Sequence, residues 1–241
     1  MKVFTSLDDA ISLIKGSFCL GGRGFKTPMV DQQCNNGRTT IWITCGIPGT
    51  GKTTLSEIIR TAYPAYSCGV VSRDEIRTDL IWDSRKLDEK TQKLQNKWMD
   101  RMTSWEVQER LARMLDDPKK HWNGIVVDGC HTNANTLENL LEFLNQYENR
   151  LIVHLIIVGD EDSPCFHAIN DREEGDYSDY GPHGHHQSLP HCVVQRKREE
   201  MKDLLEHHLD CIIPHVDDVF WIRECAGRPA FSKNYREYCQ K

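Results

Sequence analysis

The sequence predicts an α/β fold: a parallel sheet flanked by helices, with a helical lid and a short N-terminal appendage. Three observations carry this. Short apolar runs alternate with stretches of helical periodicity. The first central run passes directly into a glycine-rich turn that opens a helix. A long segment rich in Gly, His, Asp and Tyr then separates two helical stretches near the C-terminus. Strands alternating with helices close a parallel sheet through crossover connections.

Each element has its own signal. Residues 1–39 read as an appendage, with Leu7, Ile11 and Ile14 on one face of a short helix and the GGRG at 21–24 breaking the chain. Residues 40–45 are a buried strand, and Leu55, Ile58 and Ile59 continue after the turn as a helical face. Residues 69–72 form a second strand, and DEIRTDL starts a helix. Leu94, Trp98, Met102, Trp105, Ala112 and Leu115 recur at helical spacing over 88–116, which predicts one long helix with an apolar face. A strand at 124–128, a helix over 137–144 and a strand at 151–158 follow. A helix begins over 164–172, a charged helix covers 190–209, and a last strand is expected at 216–222. The loop at 173–187 is longer than a passive connection needs, which suggests a mobile lid. The domain expected from these signals covers 40–222, with its lid at about 172–200 and a tail at 223–241.

Composition narrows the function classes. The chain has 241 residues, 39% of them hydrophobic and 27% charged, which is a globular rather than a disordered balance. Lys and Arg number 30 against 36 Asp and Glu, a net charge of −6. That excludes a generic basic nucleic-acid coat, but not recognition of one nucleic-acid end by a few local cations. The longest apolar run, Leu151–Val158, contains His154 and is far too short to cross a bilayer, so no membrane partner is expected. Acids interrupt the apolar core that a signal peptide would need in MKVFTSLDDAISLIKG, so the expected compartment is the cytoplasm, or the host cytoplasm for a viral chain. The ten cysteines are scattered, form no CxxC pair, and are expected to be reduced thiols.

The GIPGTGKTT that begins at Gly46 matches GxxxxGK[ST] between a strand and a helix. In that turn successive backbone N–H groups converge on one phosphate, so Gly46, Gly49, Thr50, Gly51, Lys52, Thr53 and Thr54 form the expected nucleotide site. Lys52 reaches the β- and γ-phosphates, and the Thr53 hydroxyl is a Mg²⁺ ligand. The expected cofactors are ATP, or another NTP, and Mg²⁺. No NKxD guanine motif is present, and the chain is short for a motor ATPase. Both facts favour a kinase.

SRDEIR at 72–77 follows the second strand. A carboxylate at that strand tip faces the crevice beside the phosphate loop and is placed to take a proton from an attacking hydroxyl. An Arg three residues on shares its helical face. The same residues would also suit a plain helix start, with Asp74 as the cap and Arg77 solvated.

GIPGTGKTT, SRDEIR and VVDGCHTN, in that order, resemble the P-loop polynucleotide 5′-hydroxyl kinases, the phage-type polynucleotide kinases and related AAA-like P-loop kinases. The resemblance implies a P-loop kinase-type fold and an ATP-dependent phosphotransferase acting on the 5′-OH end of a polynucleotide. By this likeness Asp74 is the general base and Arg77 contacts the reacting end. Asp128 corresponds to the acid of the family's D-x-T-N-x-N stretch, where it either holds a Mg²⁺ water or pins Arg77. Cys130 and His131 depart from that pattern, standing where the family has Thr and Asn. NDR at 170–172, the loop, and SLPHCVVQRKR at 188–198 resemble the family's lid, which makes Arg172 the cation for the transferring phosphoryl group, with Arg196 and Arg198 as weaker candidates.

The segment EEGDYSDYGPHGHHQ departs most from the family. Glu173, Glu174, Asp176 and Asp179 would repel a phosphate backbone, while Tyr177 and Tyr180 would stack on bases. His183, His185, His186 and His191, near Cys192, match no standard zinc spacing, and a lid that gains charge below neutral pH is an equal reading. Neither a DxDxT phosphatase motif nor a KxDG ligase motif occurs, so a ligase or phosphatase activity is expected from a separate partner protein. A homo-oligomer is a further expectation. Two rival readings remain: a related kinase acting on a small-molecule or modified-base hydroxyl, and a non-catalytic nucleotide-dependent binding protein.

Overall fold

The computed structural model describes residues 2–4, 37–63, 67–80, 89–160 and 191–222. Six parallel strands form one sheet: β1 (Lys2–Phe4), β2 (Thr39–Cys45), β3 (Cys68–Ser72), β4 (Gly124–Asp128), β5 (Leu151–Val158) and β6 (Asp218–Ile222), in the order β1-β6-β5-β2-β4-β3. The helices are α1 (Lys52–Ala62), α2 (Arg73–Leu80), α3 (Glu89–Leu115), α4 (Ala134–Asn145), α5 (His191–Asp203) and α6 (Leu209–Ile212). A π turn over Leu204–His208 joins the last two. This is an α/β fold, a parallel sheet flanked by helices, as the alternation of strand and helix signals predicts.

The strands are apolar along their whole length because both faces are covered. In β2, Ile41, Ile43 and Cys45 belong to the core on one side, and Trp42 to the core on the other. The first core is filled by Ile76 of α2, Val107 and Leu111 of α3, Leu137 and Leu141 of α4, and Met201 and Leu204 beyond the lid loop. The second is filled by Leu55, Ile58 and Ile59 of α1, with Phe220 of β6. Trp42 satisfies its indole N–H by donating to the Tyr63 hydroxyl at 2.8 Å. The Tyr63 ring lies so close over Gly124 that a Cβ there would come within 2.4 Å of it.

β2 is flanked by β4 on one side and β5 on the other, so the chain order reverses next to it. A crevice opens at the carboxyl ends of the strands at such a point. The loop after β2, the start of α2 after β3, and the turn after β4 all meet there.

Two expectations differ from the structure. β1 pairs in parallel with β6, Lys2 opposite Phe220, so the stretch expected as an appendage over 1–39 contributes an edge strand. Three residues are too few to show a period, and only the partner strand makes them a strand. In α3 the helix forms as expected, but of the six residues that carry its spacing only Leu115 joins the core. Val107, Leu111 and Leu115 enter the core, whereas Leu94, Trp98, Met102 and Trp105 are exposed. A 27-residue helix is roughly 40 Å long, and the exposed residues lie on its N-terminal side of Val107. The short helix expected around Leu7, the helix expected over 164–172, the loop at 173–187 and the tail at 223–241 lie outside the described residues. Among the described residues no helix is long and apolar enough to cross a membrane, and Cys45, Cys68, Cys130 and Cys211 are unpaired thiols.

Candidate active site

The phosphate loop begins where β2 ends. A Cβ on Gly46 would lie 2.5 Å from the Val158 carbonyl oxygen of neighbouring β5, so only glycine fits between the strands. Gly49 and Gly51 have φ of 86° and 87°, the left-handed region that glycine enters at no steric cost. Gly51 caps α1 without a side-chain hydrogen bond, and the first turn carries no acid. The first amides of this helix are therefore presented toward the loop's concave side, where an anion is stabilised.

Inside the loop, Lys52 is buried at 7% exposure. Its Nζ donates to the Ile47 carbonyl at 2.6 Å and to Thr50 Oγ1 at 3.3 Å, and Thr50 Oγ1 donates to the same carbonyl at 3.0 Å. The ammonium is held by the loop's own carbonyl and hydroxyl oxygens. Thr53 is exposed at the helix mouth, and Thr54 is half-buried.

Asp128 ends β4 beside this corner. It accepts from Thr44 Oγ1 at 3.1 Å, and Thr44 Oγ1 accepts from the Gly129 amide at 3.2 Å. Burial pushes its carboxyl above the usual range, while the Lys52 ammonium and the Ser56 and Thr53 hydroxyls pull it back. A buried acid with a hydroxyl neighbour at a phosphate-facing helix start is a hard-oxygen donor set, and that is what Mg²⁺ takes. Thr53 and Asp128 thus fit the ion expected from the sequence, Asp128 directly or through a water.

The acceptor side is built on α2. Ser72, not Asp74, caps this helix: its Oγ accepts the Glu75 amide at 3.3 Å, which gives the S-x-x-E spacing of a capping box. Asp74 is therefore not spent on the cap. It lies exposed in the first turn, near enough to Asp128 for their charges to act on each other. Arg77 pairs with Asp100 of α3 at 3.5 Å, so the reading in which Asp128 pins Arg77 gives way to Asp100.

A cleft of about 710 Å³ opens from here between α2, α3, the β4–α4 turn, α4 and α5. Asp74 and Arg77 line it, joined by Arg73, Arg101, Arg196 and Lys197. Sequence reading passed over Arg73. Its stem lies across Gly129, where a Cβ would meet the Arg73 Cδ at 2.6 Å. Its guanidinium donates to Ser104 at 3.2 Å. Burial pulls its affinity for the proton down, with Asp100 opposing.

His131, in the turn after β4, is buried rather than on the loop surface. The residue is 4% exposed with φ of 43°. Its Nδ1 donates to the Thr44 carbonyl at 2.8 Å, which leaves Nε2 as a buried acceptor with no partner among the described residues. Burial, with the Arg73 and Lys52 charges, lowers its pKa to about 3, so the ring is neutral. The same turn is tied to the phosphate loop, because the Gly46 amide donates to the Cys130 carbonyl at 2.8 Å. Cys45 donates to the His131 carbonyl at 3.3 Å, and burial holds its thiol at about 12.

Helix α5 reaches this turn through Glu200, another residue without a sequence signal. Glu200 accepts from Thr132 Oγ1 at 2.9 Å and from Lys197 Nζ at 2.6 Å. The RKREE stretch is thus partly a docking face and not only a solvated one. Arg196 lines the cleft and pairs with Glu200 at 3.7 Å, and Arg198 is half-buried. Arg172 and the histidines of the lid loop lie outside the described residues. Among the described residues no group of His, Cys, Asp and Glu forms a metal cluster.

A family model described as an AAA domain matches residues 41–204. The chain belongs to that family. The matched span begins within β2 and ends where α5 passes into the π turn, so the AAA domain contains the phosphate loop, Asp74, Asp128 and α5. No curated protein matches the chain. Among solved structures, the domain is similar to a chain of the Pnkp1/Rnl/Hen1 complex at 16% identity and a TM-score of 0.36, over 63% of this chain and 43% of that one. It is also similar to polyphosphate kinase 2 from Arthrobacter aurescens TC1 at 8% identity and a TM-score of 0.44, over 97% of this chain and 74% of that one. The chain spans less than half the length of the first of these.

Proposed function

We propose that this chain is an ATP-dependent kinase that transfers the γ-phosphate of a Mg²⁺-bound nucleotide to a hydroxyl, the 5′-OH end of a polynucleotide. One observation carries the reading: Asp74 lines the cleft with Arg73, Arg77, Arg101, Arg196 and Lys197, and it lies near enough to Asp128 for the two charges to act on each other. The base thus lies between a nucleotide site and a cationic groove suited to phosphodiesters.

The roles follow from the chemistry. The phosphate-loop amides and Lys52 bind the β- and γ-phosphates. A magnesium ion held by Thr53 and Asp128 would neutralise charge on the transferring group. Asp74 takes the proton of the acceptor hydroxyl as the new P–O bond forms and the bond to the nucleoside diphosphate breaks. Arg77, held by Asp100, orients the phosphodiester next to the reacting end. Arg172 at the start of the lid adds a second cation as the lid closes. The natural partners are a polynucleotide end and a separate ligase or phosphatase, in the cytoplasm.

Transfer of labelled γ-phosphate to a panel tests this: 5′-OH DNA, 5′-OH RNA, nucleosides, and no acceptor. Labelling of the polynucleotides above nucleosides supports the reading, and labelling of nucleosides alone sinks it. A second reading has its own observation. Asp100, Glu142 and Glu200 line the same cleft and would disfavour a polyanion, which suits a small-molecule or modified-base hydroxyl. The nucleoside arm decides for it.

A further inference from the structure

Outside the site, the feature with no structural use is the exposed half of α3. Leu94, Trp98, Met102 and Trp105 are 54%, 65%, 38% and 53% exposed. They are spaced by four, four and three residues, so they form one continuous stripe on the helix. The stripe does not end at random. Trp105 and Arg101 at its inner end line the acceptor cleft, so stripe and cleft are one surface.

Cations accompany the indoles. Lys97 and Arg101 are exposed beside Trp98 and Met102, and neither has an ion-pair partner among the described residues. The nearest acids are already matched: Asp100 pairs with Arg77, and Glu106 with Arg110 at 2.9 Å. In a chain of net charge −6, this cationic and aromatic face is a local departure from the average.

We propose that this face of α3 is a track for the single strand leading away from the acceptor cleft, with Trp105 and Trp98 stacking on bases and Arg101 and Lys97 meeting phosphates. Aromatic faces accept any base, and alternating cations follow the backbone. An apolar protein partner would have no use for a cation at each turn. Trp98 lies seven residues before Trp105, roughly 10 Å along the helix axis. That is about three base steps at ~3.4 Å each. A dinucleotide therefore ends at Trp105, and a strand of about five nucleotides reaches Trp98. The inference rests on the polynucleotide reading above and extends it from the terminal residue to the strand.

The test uses the full chain and 5′-OH oligothymidylates of two, five and twelve nucleotides. In the unaltered protein, KM should fall about tenfold between the dinucleotide and the five-mer and change little beyond. In Trp98→Ala that length advantage should vanish, and in Trp98→Phe, which keeps an aromatic face, most of it should return. Titration with the twelve-mer should quench tryptophan fluorescence, and the quench should shrink in Trp98→Ala. A KM that is independent of length, or an unchanged length dependence in Trp98→Ala, overturns the track. Sedimentation covers the other occupant: if the protein is a dimer that Trp98→Ala dissociates, the stripe is an interface between copies and the proposal is wrong. If no oligonucleotide is phosphorylated, the polynucleotide reading fails on its own, and the fluorescence titration still decides whether this face binds a strand.

Discussion

The phosphate loop and the acceptor cleft lie side by side and are built in opposite ways. The loop is one continuous stretch, from Gly46 to Thr53, whose Lys52 and Thr50 side chains bond within it: both donate to Ile47, while the Gly46 amide reaches out, to Cys130. The cleft is assembled from α2, α3, α4, α5 and the turn after β4, and its polar groups are matched across elements, Arg77 to Asp100 by an ion pair and Thr132 to Glu200 by a hydrogen bond. A local site needs only its own backbone conformation. A composite site needs the whole domain folded, and so it is where substrate choice and conformational change have room to act.

The largest effect should come from the local site. Lys52→Ala removes the cation aimed at the transferring group, and transfer should fall on the order of 10³-fold at saturating substrate. A variant with the wild-type rate would break the comparison outright. On the composite side, Asp74→Asn keeps shape and hydrogen-bond reach but loses basicity. Transfer should slow by roughly 10²-fold or more while nucleotide affinity is unchanged, because Ser72 already caps the helix. If nucleotide binding weakens as much as transfer, Asp74 belongs to the loop and not to the cleft.

His131 joins the two regions, and pH reads it. Its folded pKa of about 3 lies below the ordinary 6.5, with Arg73 and Lys52 facing it. Below pH 6.5 the unfolded chain therefore binds more protons than the folded one, and stability is lost as pH falls toward 3. Between pH 6.5 and 5 the loss should be roughly 2 kcal/mol from this ring. Urea midpoints of the wild type and His131→Asn at both pH values should show a flatter acid limb in the variant. Parallel limbs would mean that His131 is accessible to protons in the folded state.

Smaller again is Arg77→Ala. It should raise KM about tenfold for acceptors that carry a phosphodiester, in line with one charge-assisted contact, and matter much less for a neutral nucleoside. An equal response of both acceptors would remove end recognition from this residue. Smallest is Thr132→Val, which breaks the hydroxyl contact to Glu200. It should cost about 1 kcal/mol of stability in thermal unfolding, and no cost would mean that Glu200 does not hold the lid helix in place.

The difference between the regions also explains what could be read ahead of the structure. GIPGTGKTT carries its geometry in its glycines, so the loop, the strand before it and the helix after it followed from spacing alone. SRDEIR pointed to the right helix but left open which residue caps it. That was decided by the Ser72 to Glu75 contact. VVDGCHTN marked Asp128, yet whether His131 faces solvent depended on Arg73 and Thr44 packing around it. The apolar spacing along α3 marked the helix but left its burial open, because periodicity says which residues share a face and not what lies opposite that face.

The sequence by itself determined the alternation of strands and helices, the phosphate-binding turn, and the order of the acid and basic residues around it. These depend on backbone conformation and short-range spacing, which a chain encodes locally. Only the tertiary structure decided that Lys2–Phe4 completes the sheet, that Asp100 rather than Asp128 holds Arg77, that Arg73 and Glu200 belong to the cleft, and that the two indoles of α3 stand exposed. Each of these is a contact between residues far apart in the chain, and its energy exists only once the elements between them have packed.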